Sequence, residues 1–282
     1  MDDEWRRYLA QQAELGGSEV ILEPGAGQVA PEPATRPSRL APPPPERAVA
    51  RTPVGASAGF AAPDASGTAK WKKGAPPIPG PGLLIELPAP TLLSGDPLAE
   101  LDSLDAVAER IRTTHCCGLC PDRTNAVPGE GNPRAKLVFV GEGPGATEDA
   151  TGRPFVGPAG KLLDEIITAI DLRREDVYIT NIVKCRPSQN RKPLPDEIAA
   201  CIPYLRRQLA LIRPKVIVAL GATAGEAMLN TRKGLGELRG KLHSYGGIPL
   251  LVTYHPAALL RNPNWKKPTW DDVRIARQLL DR

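Results

Sequence analysis

The 282-residue chain is poor in several things, and each shortage closes off a class of function. No run approaches the roughly 18 apolar residues needed for a membrane-spanning helix, which argues against a membrane protein. The N-terminus opens acidic, "MDDEW", without the basic-then-apolar order of a secretory leader, so a cytoplasmic setting with reduced thiols is expected. Aromatic residues make up 4 % of the chain, with only three phenylalanines, and there are three histidines. A net charge of +4 is too mild to decide for or against nucleic acid.

What is abundant is proline, and it is concentrated in the first third. Residues 16–95, with "APPPPE" and "GAPPIPGPGL", hold few residues able to build a core and read as a disordered Pro/Ala/Gly-rich linker. Before it, Trp5, Tyr8 and Leu9 fall at i, i+3, i+4, a short amphipathic helix within residues 1–15 that is either a fraying terminus or a tethered docking site for a protein partner.

From residue 96 the texture changes. "KLVFV" (136–140), "VYITNIV" (177–183), "KVIVALG" (215–221) and "PLLVTY" (249–254) are short β-branched runs of the kind buried on both sheet faces, and helix-period segments lie between them. The expectation for 96–282 is a three-layer α/β/α domain around a central, mainly parallel four-stranded sheet. Open α/β sheets bind ligands beyond the carboxyl ends of their strands. Here those ends carry Glu142, Asn181, Gly221-Ala222-Thr223 and His255, a set that suits a neutral heterocycle better than a phosphate.

The loop after the first run, "GEGPGATEDATGRPFVG", imitates a dinucleotide fingerprint and fails as one. Its third glycine position is Ala146, Pro144 stiffens the turn, and Glu142, Glu148 and Asp149 would repel a pyrophosphate. Phe155 is either a core anchor or a stacking platform for a base. Leu259 and Leu260, followed by Arg261, Lys266 and Lys267, read either as core leucines or as an apolar wedge with phosphate contacts behind it. Among the five cysteines, Cys117-x-x-Cys120 with Cys185 and Cys201 offers four thiols to zinc or to an iron–sulfur cluster, with Cys116 alongside; two unrelated thiol pairs are the plainer alternative.

Taken in order and spacing, CxxC, "GEGPGATED", "GRPFVGPAGKLL", "YITNIVKCRPSQNRKPLPDEIAAC" and "YHPAALLRNP" resemble the family-four, iron–sulfur uracil-DNA glycosylases over residues 115–281. The resemblance implies a monomeric DNA-repair enzyme that flips uracil out of single- or double-stranded DNA and hydrolyses its N-glycosidic bond. It implies a structural [4Fe–4S] cluster on Cys117, Cys120, Cys185 and Cys201, with Cys116 outside the ligand set. It places Glu142, Asn181 and His255 in catalysis, Gly143, Phe155, Asn181, Glu148 and Asn190 at the base, and Arg186, Arg191, Leu259, Leu260 and Arg261, with Lys184, on the DNA. Where the wider superfamily carries an aspartate this chain has Gly143, so no single strong general base is implied there. Two rivals remain at this point, a noncatalytic cluster-bearing DNA-binding module and a protein that traps uracil-DNA covalently. The loop "KCRPSQNRKPLP" lacks the histidine that the trapping relatives carry.

Overall fold

The computed structural model describes residues 69–86 and 98–282. Seven strands form one sheet in the order β1 (Pro81–Ile85), β6 (Leu242–Tyr245), β7 (Ile248–Thr253), β5 (Val216–Leu220), β3 (Leu137–Gly141), β4 (Tyr178–Asn181), β2 (Glu130–Gly131). The four runs read from sequence are its parallel centre, β7-β5-β3-β4. The expected four strands become seven because three short ones carry weak patterns. β2 has two residues, β6 alternates buried and half-buried positions, and β1 sits inside the proline-rich stretch. β6 and β7 are antiparallel partners joined at Gly246-Gly247, whose positive φ values of 58° and 80° suit a tight hairpin turn.

Period-two side chains divide each central strand between two cores. Val138, Val140, Ile217, Ala219, Leu250 and Val252 face one side, where they meet Leu205, Leu209 and Ile212 of α4 (Pro195–Ile212) and Ala224 and Met228 of α5 (Ala222–Met228). Leu137, Phe139, Val216, Val218 and Leu251 face the other. They pack on Leu163 and Ile167 of α3 (Pro158–Ala169) and on Val273 and Ala276 of α8 (Lys266–Leu280). Three layers result. A smaller cluster under α1 (Leu104–Thr113) joins Val107 and Ile111 to Tyr204 of α4. α4 runs on through Pro203, with Pro195 in its first turn and Glu197 accepting the Leu194 amide at 2.7 Å.

The expected boundary at residue 95 needs correction. Residues 69–86 are built into the fold, whereas the helix expected within 1–15 and the linker over 16–68 and 87–95 lie outside the described residues, as do 96 and 97. Trp71 is buried, with the Arg277 guanidinium 5.1 Å from its ring centre. Arg274 of α8 donates to the carbonyls of Trp71 (2.7 Å) and Lys73, and Gln278 donates to Pro76 O at 2.9 Å. β1 then pairs in parallel with β6, where Leu83 N donates to His243 Nδ1 at 2.9 Å. Composition hid this segment because backbone carbonyls, which every residue owns, supply most of its bonds to α8.

Replacing Trp71 by alanine is expected to lower stability by about 3–5 kcal/mol, as for other buried tryptophans. Urea unfolding of the full chain measures it, and a loss below about 1 kcal/mol would mean that the segment merely rests on α8.

Candidate active site and cysteine centre

The carboxyl ends of the central strands meet in one crevice. Register sets Gly141, the last residue of β3, opposite Asn181, the last of β4. Pairing continues past the strands, with Ile182 N donating to Gly141 O at 2.9 Å and Val183 N to Glu142 O at 3.1 Å. A Cβ on Gly141 would lie 2.5 Å from Phe155 Cζ and would collide with Asn181 Oδ1, so these two side chains meet over a bare backbone. The Phe155 and His255 ring centres are 5.4 Å apart at 34°. At the end of β5, Gly221 takes φ +94° beneath His255, where a Cβ would stand 3.2 Å from the histidine Cβ. Phe155, Asn181 and His255 are thus brought together by three different chain segments.

Phe155 is buried in the left-handed region at φ +49°, a conformation costing a bulky residue on the order of 1–3 kcal/mol. Three contacts hold it there. Arg174 donates to Phe155 O at 3.1 Å and to Pro154 O at 2.5 Å, while Glu130 (3.0 Å) and Asp164 (2.8 Å) fix the guanidinium. Glu148 Oε1 accepts the Val156 and Gly157 amides, both at 2.9 Å. Gly160 of α3 lies so close to Phe155 O that a Cβ has no room. Glu148 therefore shapes the pocket through the backbone of the Phe155 loop, and Arg174 is a member of the site that sequence did not point to.

Polarity in the crevice is specific. Asn181 is buried, and its Oδ1 accepts no hydrogen bond within the protein, a costly state that a ligand donor would relieve. Half-buried Glu142 has its pKa raised by burial against the hydrogen bond from Thr223 of α5 and the charge of Lys192; Glu226 adds to the rise. Half-buried His255 caps α7 (Pro256–Arg261), its Nδ1 accepting the Ala257 amide at 3.2 Å. That bond assigns the proton to Nε2. Burial and the neighbouring Arg261 charge pull the imidazole down to about 4, so at neutral pH it is an uncharged Nε2–H donor.

Several expected DNA contacts are placed differently. Leu259 is 1 % exposed and belongs to the core, while Leu260 is 49 % exposed, so the apolar tip is one leucine, as the turn of α7 points successive residues apart. Lys184 is fully buried, donating to Thr180 Oγ1 (2.7 Å), Asn181 O (2.8 Å) and Gln208 Oε1 (2.8 Å), and cannot meet phosphate. Arg191 forms a bidentate pair with Glu197 at 2.6 and 2.9 Å at the start of α4. Exposed Asn190, at φ +57°, spends Oδ1 on Arg186 Nε at 2.8 Å. Arg261 is exposed beside Leu260, and Gly143 packs on Val183, where a Cβ would stand 2.8 Å from Cγ2.

The cysteines converge on one another. The Sγ of Cys120 lies 3.8 Å from Cys117, 3.5 Å from Cys185 and 3.9 Å from Cys116. Cys116, Cys117 and Cys201 place their sulfurs within 4.8 Å of one another, and all five thiols are free. The plain alternative of two unrelated pairs is therefore excluded, and Cys116 stands inside the group. Burial pushes the Cys117 thiol up to about 11 and the Cys185 thiol up to about 12. Bare thiols would stay protonated there, and thiolates at this spacing need a bound cation. Arg123 Nη1 already donates to Cys185 Sγ at 3.1 Å. Asp149, the third acid of the glycine-rich loop, accepts the Thr124 amide at 3.0 Å and so ties the segment after the CxxC to α2 (Ala146–Thr151).

Residues 128–276 match the family model described as the uracil DNA glycosylase superfamily. The chain is similar to a type-4 uracil-DNA glycosylase of Thermotoga maritima, 50 % identical over 183 residues that cover 64 % of this chain and 95 % of that protein. It is also similar to one of Saccharolobus solfataricus, 47 % identical over 189 residues covering 64 % and 88 %. A type-5 uracil-DNA glycosylase of Thermus thermophilus is 38 % identical over 149 residues covering 46 % and 68 %.

His255 is expected to titrate near pH 4 as the Nε2–H tautomer in 15N spectra of labelled imidazoles. Arg261→Gln should raise that value. Because the folded group binds its proton less readily than the unfolded one, stability falls as pH drops from about 6.5 towards 4. An imidazole titrating near 6.5 would contradict the assignment.

Proposed function

This chain belongs to the uracil-DNA glycosylase superfamily, and we propose that it removes uracil from DNA by hydrolysing the bond between uracil N1 and deoxyribose C1′. The observation that carries the reading is Asn181 Oδ1, buried without a donor in a slot bounded by Phe155 and His255. Uracil presents an N3–H donor beside an O4 acceptor. One carboxamide satisfies both, accepting through Oδ1 and donating through Nδ2. Cytosine reverses that edge and would leave buried groups unpaired, a strong discrimination.

Bond cleavage leaves the electron pair on uracil and positive character on the sugar. An uncharged Nε2–H of His255 aimed at O2 meets negative charge where it develops and gives up no proton. Glu142, whose pKa burial raises, orients the attacking water as its carboxylate, faces the cationic sugar and takes the water's proton as oxygen bonds to C1′. Phe155 supplies the stacking face. Leu260 with Arg261 and Arg186 fits the task of filling the stack and holding phosphate while the base is flipped out, which costs a few kcal/mol. These assignments explain acids where a phosphate loop would have none. The ligand is a neutral base, and the transition state is cationic.

For the cysteine centre the reading is a [4Fe–4S] cluster on Cys117, Cys120, Cys185 and Cys201. The all-sulfur donor set, buried at Cys120, Cys185 and Cys201 and half-buried at Cys117, fits it, and Arg123 supplies compensating charge. Bound there, the cluster cross-links the CxxC segment, the loop after β4 and α4, and takes no part in the chemistry. One observation favours a second reading, zinc: Cys120 Sγ lies 3.8 Å from Cys117 Sγ and 3.5 Å from Cys185 Sγ, near the edge of about 3.8 Å expected for four thiolates around one zinc ion.

The deciding experiment measures uracil released from a labelled oligonucleotide, with alkali revealing abasic sites. Wild type should release uracil, and Asn181→Ala and His255→Ala should each lose on the order of 10²-fold or more. Shifted, alkali-stable DNA without free uracil would overturn the enzyme in favour of a binding or trapping protein. The rate should fall in acid through the raised Glu142 value, and Glu142→Gln should lower it by about 10²-fold or more and flatten that limb. Anaerobically purified protein should be brown, with a broad band near roughly 400 nm, whereas colourless protein containing one zinc would favour the second reading.

A further inference from the structure

The strand that delivers His255 is gripped by side chains that no step above uses. Thr253, the last residue of β7, donates its hydroxyl to Asp272 Oδ2 of α8 at 2.6 Å. The same oxygen accepts Arg239 Nε at 2.9 Å, and Arg239 Nη2 reaches Pro268 O at 3.3 Å. The Arg239 guanidinium, at the end of α6 (Leu235–Leu238), lies 4.6 Å from the ring centre of Tyr254. Trp265 stacks on Tyr254 at 4.7 Å and 5°. Two groups that close to one ring centre must take opposite faces, so Tyr254 is sandwiched between a cation and an indole. Trp265 is fixed in turn, its carbonyl accepting the Thr269 hydroxyl at 2.8 Å.

Thr253 and Tyr254 are the two residues immediately before His255, so each is clamped from a separate element. Asp272 is buried and Arg239 nearly so. A buried ion pair is a weak source of stability compared with apolar packing of the same volume, but it fixes direction, because its hydrogen bonds hold only in one geometry. We propose that Arg239, Asp272 and Trp265 are positioning residues that set the orientation of the His255 imidazole toward the slot between Phe155 and Asn181. The inference rests on the reading of His255 as the donor to uracil. A shift of about 1 Å in such a donor is enough to cost about 10²-fold.

Single-turnover excision by Arg239→Lys, Asp272→Asn and Trp265→Leu is expected to lose about 10- to 100-fold in kcat with KM within about twofold, and Trp265→Phe, which keeps the stack, should stay within about twofold of wild type. In a His255→Ala background the same substitutions should change the residual rate by less than about twofold, since the group that they orient is gone. Equal losses in both backgrounds, or no loss in kcat, would overturn the proposal and leave a purely structural network. If Arg239→Lys fails to fold, Trp265→Leu, at a half-buried position, carries the same test. The imidazole 15N spectra provide a readout independent of turnover. The His255 signals should shift or broaden in Trp265→Leu while those of His243, held between Leu83 N and Leu238 O, stay in place. An unchanged His255 signal counts against the proposal. If His255→Ala alone retained the wild-type rate, the reading of His255 itself would fail, and the spectra would still decide whether the network orients the ring.

Discussion

The site depends on the register between β3 and β4. Gly141 stands opposite Asn181, and because side chains alternate along a strand, a slip of one residue would send the carboxamide to the other face of the sheet. The register is held on both sides of that pair, by the ladder before it and by the Ile182 and Val183 amides after it. Only with Gly141 bare can Phe155 and Asn181 meet over the strand end. Parallel polarity then places the ends of β5 and β7 on the same edge, so that Gly221 and His255 reach the slot without any long-range loop.

Three acids in one glycine-rich loop looked like a single electrostatic device and are three separate ones. Glu142 faces the crevice with a raised pKa. Glu148 spends one oxygen on two amides, closing the loop that presents Phe155. Asp149 is buried against the amides that follow the CxxC. Two of the loop's acids are thus spent on backbone amides, and Glu142 alone is left facing the strand ends.

The central sheet was legible because burial on both faces forces long β-branched runs, and those runs gave four strands in their observed places. β1 and β2 were not legible, since a strand held mainly by backbone pairing at an edge has no need of such a run, and β6, between β1 and β7, only alternates buried and half-buried positions. The convergence of Glu142, Asn181 and His255 followed from strand polarity alone. What failed was anything set by the turn of a short helix or by partners remote in sequence. Leu259 and Leu260 are adjacent and chemically alike, yet one is core and the other exposed. Lys184 looked like a phosphate contact beside Arg186, and nothing local announces that Gln208, twenty-four positions away, completes its buried cage. Arg174, Arg239 and Asp272 were invisible for the same reason.

The cysteine group and the slot at Asn181 share one short piece of chain, which couples the two mechanically. Only Ile182, Val183 and Lys184 separate Asn181 from Cys185. Val127, from the segment after the CxxC, donates its amide to Lys184 O at 2.8 Å, while the Lys184 ammonium bonds Asn181 O and reaches Gln208 on the helix that bears Cys201. The carbonyl of Asn181 is therefore fixed by a group whose other anchors are the elements that a cysteine-bound cation would staple together. Loosening that staple frees α4 and the CxxC segment to move, and with them Gln208 and Val127. The polar atom of Asn181 that lacks a partner is useful only while its backbone stays in place. The cysteine group and the unpartnered Asn181 carboxamide are thus mechanically coupled through Lys184.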